Sequence, residues 1–467
     1  MEKLSISFED NVKEMDKLLR VDKSFDLIRR PMQVGEDRLV FYYIDGFVKD
    51  TVMQKLMMYF LSLKKIEDAE DFAQNQVPYV EVETTDTVDT LSLFVLSGAV
   101  AVLGSSFGAK GVIIDARTYP ARDTAEPESD KVMQGAKDGF VETLIFNTAL
   151  IRRRIRDPRL TMHYENLGGA SKPDVVVCYM EGVANGDYVK QVKQKLASVT
   201  PKSLTLGYQS LAEVLIPRRW YNPFPKVRTL ERPDAAAAEL MEGRVLVLCD
   251  TSPRVMVLPT SIFDFMQETD DYYFPPLTGS YQRIVRLLAS AMALVLTPLW
   301  YLFLTHPQWL PPAFGFVVPE QVGALPIIWQ LLLAELAVDA LKLASMNTPS
   351  MLSSSLSIIG GLILGDFAVA VGWLVPDVIL YMAMVAIAGF SVKSQELGYA
   401  MKFMRIILLI LTALFGLWGF VGGLLLVPLA LVLNTTLNGG HSYFYPLIPF
   451  RGKAFLRLLF RLKKNDT

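Results

Sequence analysis

The charge pattern of this chain breaks at about residue 286. Ahead of the break charged residues are frequent; from Leu287 to Phe450 there are ten Asp, Glu, Lys and Arg residues in all. That tract holds several apolar runs, and a bilayer is spanned by a helix of roughly 20 predominantly apolar residues. The expected fold is therefore an α/β cytosolic region followed by an all-α polytopic membrane domain. The few charges left in the apolar half draw attention first, because an ionisable group in hydrocarbon is costly without a partner or a task.

The rest of the composition mostly excludes. A net charge of −2 gives no case for nucleic acid. Cys178 and Cys249 share no metal-ligand or redox spacing and read as buried, reduced thiols. His163, His306 and His441 lie far apart, so no His-based metal site is expected, nor any cofactor. The opening MEKLSISFEDNVKEM lacks the apolar core of a signal peptide, which puts the charged half on the cytosolic side.

The charged half carries a repeat. Residues 1–30 read as an amphipathic helix through Leu18, Leu19, Phe25 and Ile28. The apolar strand ending Tyr43-Ile44-Asp45-Gly46 is followed by a helix over 51–63. Val175 to Gly182, ending Tyr179-Met180-Glu181-Gly182, repeats that pattern ahead of a helix over 188–196. Gly98–Gly104 with Gly111–Ile114, and Gly243–Cys249 with Val255–Leu258, form a second matching pair and read as hairpins. The cytosolic region thus has two related α/β subdomains, with a helix over 138–156 between them that ends in Arg152-Arg153-Arg154. Asp45 and Glu181 are either ligands or, as the simpler reading, caps of the following helices. The arginine run is either a phosphate or lipid contact or a salt-bridged helix end.

Five apolar tracts follow, near 287–305, 324–345, 356–374, 377–392 and 403–434. The last is too long for one crossing, and Gly416, Gly419, Gly422 and Gly423 are placed to fold it into a hairpin, giving six crossings. Tyrosines and arginines over 270–286 read as interfacial anchors. Lys393, Lys402 and Arg405 read as an inward-facing loop, and the basic tail from Arg451 as lying on the cytosolic leaflet. The expected segments are an N-terminal helical segment (1–36), α/β subdomain 1 (37–135), a linker helix and connection (136–172), α/β subdomain 2 (173–285), a transmembrane domain of five to six helices (286–450) and the tail (451–467). In the second tract Glu335, Asp339 and Lys342 fall within roughly 60° on one helix face. That stripe is open to three readings: a local Asp339–Lys342 salt bridge, a pore or cavity lining, or a helix lying in the interface. Asp366 is a lone acid in the third tract.

Several motifs, in order, resemble one family. Arg122-Asp-Thr-Ala-Glu126-Pro127, Gly139-Phe140-Val-Glu142 and Asn147 through Arg152-Arg153 to Ile155 are similar to the signature of GerA-type spore germination receptor A subunits. Tyr43 to Gly46 with Asp45, Glu181-Gly182-Val-Ala-Asn185, Asp271-Tyr272-Tyr273, Glu335 with Asp339, and Ser357 to Gly365 fit the same pattern. Gln134-Gly-Ala-Lys137 stands where many such subunits carry Arg-Gly-Pro-Arg. Together with Ile155 to Leu160, it resembles the stage V sporulation protein AF (SpoVAF) branch of that family. The resemblance implies a multi-pass protein of the spore inner membrane, its N-terminal domain on the spore-core side. It also implies a germination role, a homo-oligomeric ring that conducts ions, and other germination membrane proteins as partners.

Two functions from different classes follow. One is an oligomeric cation channel with the stripe lining it; the other is a non-conducting scaffold subunit of a germination receptor or SpoVA-associated complex. A secondary transporter is weaker, because the repeat lies in the soluble half. No catalytic constellation points to an enzyme.

Overall fold

A computed structural model describes residues 3–117, 135–167, 173–198, 207–216, 221–268, 270–320, 323–347, 360–361, 365, 367–434, 437 and 443–460. Glu126, Pro127 and Asp366 lie outside these residues, as do residues 356–359 and 362–364 of the third apolar tract. The chain divides into two compact units. The first comprises Met1–Pro217, Val227–Thr260 and Leu437–Gly440; the second comprises Arg218–Lys226, Ser261–Thr436 and His441–Thr467.

The first unit holds two antiparallel five-stranded sheets with the same topology. In one, β1 (Leu27–Val34), β2 (Asp37–Ile44), β3 (Val82–Thr85), β4 (Val100–Gly104) and β5 (Gly111–Ile114) run in the order β1-β2-β4-β5-β3. In the other, β6 (Leu160–Asn166), β7 (Asp174–Met180), β8 (Arg228–Leu230), β9 (Val245–Cys249) and β10 (Val255–Leu258) run β6-β7-β9-β10-β8. The registers correspond: Leu39 faces Gly104 in one sheet and Val175 faces Cys249 in the other. The central strands are buried on both faces, because helices cover each sheet from two sides. On the first sheet, Tyr42, Ala101 and Ile113 pack under α1 (Phe8–Leu19) and α4 (Val88–Leu96). Phe41, Val102 and Val112 pack on the opposite face under α2 (Asp50–Ser62) and the short α3 (Ala69–Asp71). On the second sheet, Cys178 and Leu248 pack under α5 (Leu144–Arg154) and α8 (Pro233–Met241). Val177 and Val247 pack under α6 (Gly186–Ala197) and α7 (Tyr208–Leu215).

Four features differ from those expected. The N-terminal helix stops at Leu19, where Arg20 takes a left-handed conformation, and Ile28 belongs to edge strand β1. The helix expected over 138–156 spans Leu144–Arg154 and packs on the second sheet as α1 does on the first, and residues 136–172 also supply strand β6. Asp45 and Glu181 cap nothing: α2 starts after Lys49 without a side-chain cap, and Asn185 caps α6 by accepting from the Asp187 and Tyr188 N–H groups. A turn of several residues separates each acid from its helix. The glycines do make that turn, with φ +82° at Gly46 and +79° at Gly182, a region that favours residues without a Cβ. Finally, the main stretch of the second unit begins at Ser261, ahead of the break at 286, and Arg218–Lys226 joins it.

The second unit is helical. It contains α9 (Asp270–Tyr273), α10 (Pro276–Thr305), α11 (Ile327–Asn347), the short α12 (Ala368–Ala370), α13 (Pro376–Phe390), α14 (Gln395–Val432) and α15 (Gly452–Leu459). Among the described residues two helices, α10 and α14, are long and apolar enough to cross a membrane; α13 is apolar but shorter. The 38 residues of α14 are not one rod. Gly416 breaks the helix at φ 57°, ψ −133°. A Cβ on Gly419 would meet Leu411 O at 1.9 Å, and one on Gly423 would meet Leu408 Cδ1 at 2.6 Å. Residues 408 and 423 would lie about 22 Å apart on a straight helix. The chain therefore turns back on itself, with the glycines admitting the close approach, as the glycine spacing led one to expect.

Candidate functional site

The charges of the apolar half converge. Glu335 and Asp339 lie one turn apart on α11, and Lys402 and Arg405 lie three residues apart on the first arm of α14. Arg405 places Nε at 2.7 Å and Nη2 at 2.5 Å from Glu335 Oε1, and its Nη1 donates to Ala293 O of α10 at 2.5 Å. Lys402 Nζ lies 3.2 Å from Glu335 Oε2, 3.1 Å from Glu335 O and 2.5 Å from Asp339 Oδ2. Two acids and two bases thus sum to zero among three helices. The Glu335 and Arg405 side chains are 6% and 7% exposed, Lys402 13% and Asp339 32%. Charges this buried persist only when paired, and losing one partner of such a pair costs about 3–5 kcal/mol.

Lys342 stands outside the quartet. Its ammonium lies 4.6 Å from the ring centre of Tyr399 and 5.9 Å from that of Phe390, in cation–π geometry. The local Asp339–Lys342 pair does not form, because Lys402 takes Asp339. Lys402 and Arg405 are likewise not loop charges: they are helical and turned towards α11. Sequence reasoning missed this, although their own i, i+3 spacing inside an apolar run was a signal.

A second buried cluster lies where the apolar helices begin. Asp271 is fully buried and accepts from Arg283 Nε at 3.1 Å and from Arg286 Nη1 and Nη2 at 3.2 and 2.9 Å. Arg286 also donates to Met266 O at 2.7 Å and pairs with Glu268 at 3.5 Å. These arginines hold α9 against α10 instead of anchoring in head groups, which corrects the expectation for Arg283 and Arg286. Tyr273 is exposed; the side chain of Tyr272 lies outside the described residues.

Of the remaining motif positions, Arg152 and Glu181 join the second α/β copy to the first. Arg152 is fully buried; its Nε and Nη2 donate to the two oxygens of Asp26 at 2.9 and 3.1 Å, and Nη2 also reaches Ser24 Oγ and Leu160 O. Asp26 precedes β1 and Arg152 lies in the last turn of α5, so this pair ties the first copy to the second. Asn147 folds the approach to α5 by bonding both N and O of Val141, at 2.8 and 2.6 Å. Gly139 and Phe140 are buried, and Phe140 N donates to Glu231 O at 2.8 Å. Glu142 is exposed and its carbonyl accepts from Thr251 N. Arg153 is exposed, while Arg154 chelates Asp138. Glu181 pairs with Arg20 at 3.1 Å. Burial holds the Asp45 carboxyl above its ordinary pKa, opposed by a hydrogen bond from Gly46 N and reinforced by Asp50 and Asp26. Burial also raises both thiols, Cys249 to about 11, which leaves neither poised as a nucleophile at neutral pH.

A family model described as Bacillus/Clostridium GerA spore germination protein matches residues 13–467. The chain belongs to the GerA family. It is 37% identical over 447 residues to stage V sporulation protein AF of Bacillus subtilis (strain 168), covering 94% of this chain and 90% of that protein. It is 27% identical over 471 residues to spore germination protein KA (98% and 85% covered) and 27% over 434 residues to spore germination protein A1 (92% and 89%), both from the same organism. Among solved structures, the N-terminal domain of the A subunit of the Bacillus megaterium spore germinant receptor GerK3 aligns at 20% identity and a TM-score of 0.40, covering 55% of this chain and 96% of that one.

Proposed function

We propose that this protein is a multi-pass subunit of the spore inner membrane that acts in germination, and that several copies assemble into a cation-conducting channel. The observation that carries this reading is the Glu335–Asp339–Lys402–Arg405 quartet, in which four ionisable groups are kept among apolar helices at a desolvation cost that a simple anchor has no reason to bear. Family membership supports the setting, since the relatives are spore germination and sporulation proteins. The reading counts α11 as a crossing although three charges lower its apolarity, because all three face α14 and the large apolar residues Leu336, Leu343 and Met346 face outward. Counting α10, α11, α13 and the two arms of α14 gives five crossings; a sixth through the third tract, part of which lies outside the described residues, would put both chain ends on the core side. Partners are further copies and other germination membrane proteins.

One observation favours the alternative, a non-conducting scaffold: the quartet is neutral and ties three helices together. Potassium flux from proteoliposomes separates the two. Replacing Glu335 and Asp339 together would strand two cations, so the informative variant is Asp339→Asn, at the more exposed end. The channel reading expects flux in the parent and roughly a tenfold loss in the variant at equal protein level, the size of a 1.4 kcal/mol change in ion stabilisation. Flux unaltered by the substitution removes the acid from the pathway, and no flux in the parent leaves the scaffold.

A further inference from the structure

The quartet is asymmetric. Arg405 matches Glu335 through a single oxygen and is itself fastened to a third helix through Ala293 O. Lys402 is held differently. An ammonium carries three donors on a compact point charge, and three oxygens of α11 surround this one: Glu335 O, Glu335 Oε2 and Asp339 Oδ2, at 3.1, 3.2 and 2.5 Å. Among the described residues Asp339 has no other charged partner. Once Arg405 is set against Glu335, the charge left at these three oxygens is the single negative charge of Asp339, which Lys402 balances. A second observation points to cations along the same helix face. One turn further on, the Lys342 ammonium lies over the rings of Tyr399 and Phe390, a setting that favours a cation for reasons unrelated to the acids.

We infer that the Lys402 ammonium is a tethered occupant of a monovalent-cation site formed by Glu335 O, Glu335 Oε2 and Asp339 Oδ2. Two carboxylate oxygens and a carbonyl are ligands that take an alkali cation in place of water, and the site needs one positive charge for neutrality. Withdrawing the lysine side chain, by motion of the first arm of α14 against α11, admits a free cation of potassium size; returning it expels the ion. Lys402 then competes with the free ion for the site, so the parent conducts only through the fraction of the population in which the lysine is withdrawn. This deepens the channel reading and rests on it for its purpose, but binding is measurable without flux.

The test is equilibrium dialysis of detergent-purified full-length protein against radioactive rubidium in choline buffer. Lys402→Met is expected to bind about one rubidium per chain, displaced by potassium, where the parent binds at least tenfold less; adding Asp339→Asn returns binding to the parent level. A folded Lys402→Met that binds no more rubidium than the parent overturns the inference. If Lys402→Met folds in potassium but not in choline, a free cation has replaced the lysine, which supports it. If it folds only together with Asp339→Asn, whichever cation is present, the oxygens cannot take a free ion and the inference falls. Flux in the parent with no rubidium on Lys402→Met removes this inference and leaves the channel; rubidium binding with no flux in the parent does the reverse.

Discussion

Replacing Arg152 by Met tests how the two α/β copies are joined. The methionine keeps the apolar stem in place and removes the guanidinium, so packing changes little while Asp26, 1% exposed, loses its counter-charge. Ser24 Oγ, at 2.5 Å from Asp26 Oδ1, is a neutral donor and cannot replace it. Stranding one partner of a buried ion pair costs about 3–5 kcal/mol. For a unit of this size, 1 kcal/mol lowers the melting temperature by roughly 2–4 °C, so the variant should melt roughly 10 °C below the parent. Cys178 and Cys249 provide the assay, because both thiols are buried in the second copy and react with a fluorogenic maleimide only once it opens. The double variant Arg152→Met with Asp26→Leu should recover more than half of the loss, since no buried charge is left unpaired. A single-variant shift under about 3 °C, or a double variant no better than the single, would refute the assignment of Arg152 as the clamp.

Three further outcomes are expected. Leu408→Cys with Gly423→Cys should cross-link within one chain under mild oxidation, because the α14 hairpin brings these positions together; a straight helix would hold them about 22 Å apart and give no cross-link. Asp271→Leu should destabilise the helical unit by about 3–5 kcal/mol by leaving Arg283 and Arg286 without their shared carboxylate, read as earlier unfolding of the helical unit in detergent; a melt equal to the parent's would show that the arginines find other partners. For Asp45 the folded pKa is raised, so the folded state holds the proton more tightly and stability falls as pH rises from the ordinary carboxylate range, near 4, through the folded value. Asp45→Asn should therefore melt above the parent at pH 7 and level with it below about pH 4, and an equal difference at both would show that the charge is not the cause.

What could be read from sequence follows from where each residue sits. β2, β4, β5, β7, β9 and β10 stand inside sheets covered on both faces, so they read as unbroken apolar runs and their repetition exposed the duplication. β1, β3, β6 and β8 are edge strands with polar or charged residues, such as Arg29, Arg30 and Pro31 in β1, and gave no such signal. The α14 turn was legible because glycines crowd one stretch of an overlong apolar run. The acidic stripe on α11 was legible because helical spacing is local. Its partners were not: Arg405 lies 70 residues from Glu335, and Arg152 lies 126 from Asp26. From sequence alone a buried arginine and a solvated helix end look the same. Lys402 and Arg405 resembled loop charges because they fall at the start of an apolar run, where the positive-inside pattern also places loop residues.

The central claim is that copies of this chain assemble around an ion pathway bordered by the Glu335–Asp339–Lys402–Arg405 quartet. The most direct measurement is the mass of the detergent-purified full-length protein, with detergent subtracted, by native mass spectrometry. The account predicts a single species of several 52.2 kDa chains. A strict monomer at all concentrations would contradict it, because one chain with one neutralised acidic stripe cannot enclose a pore.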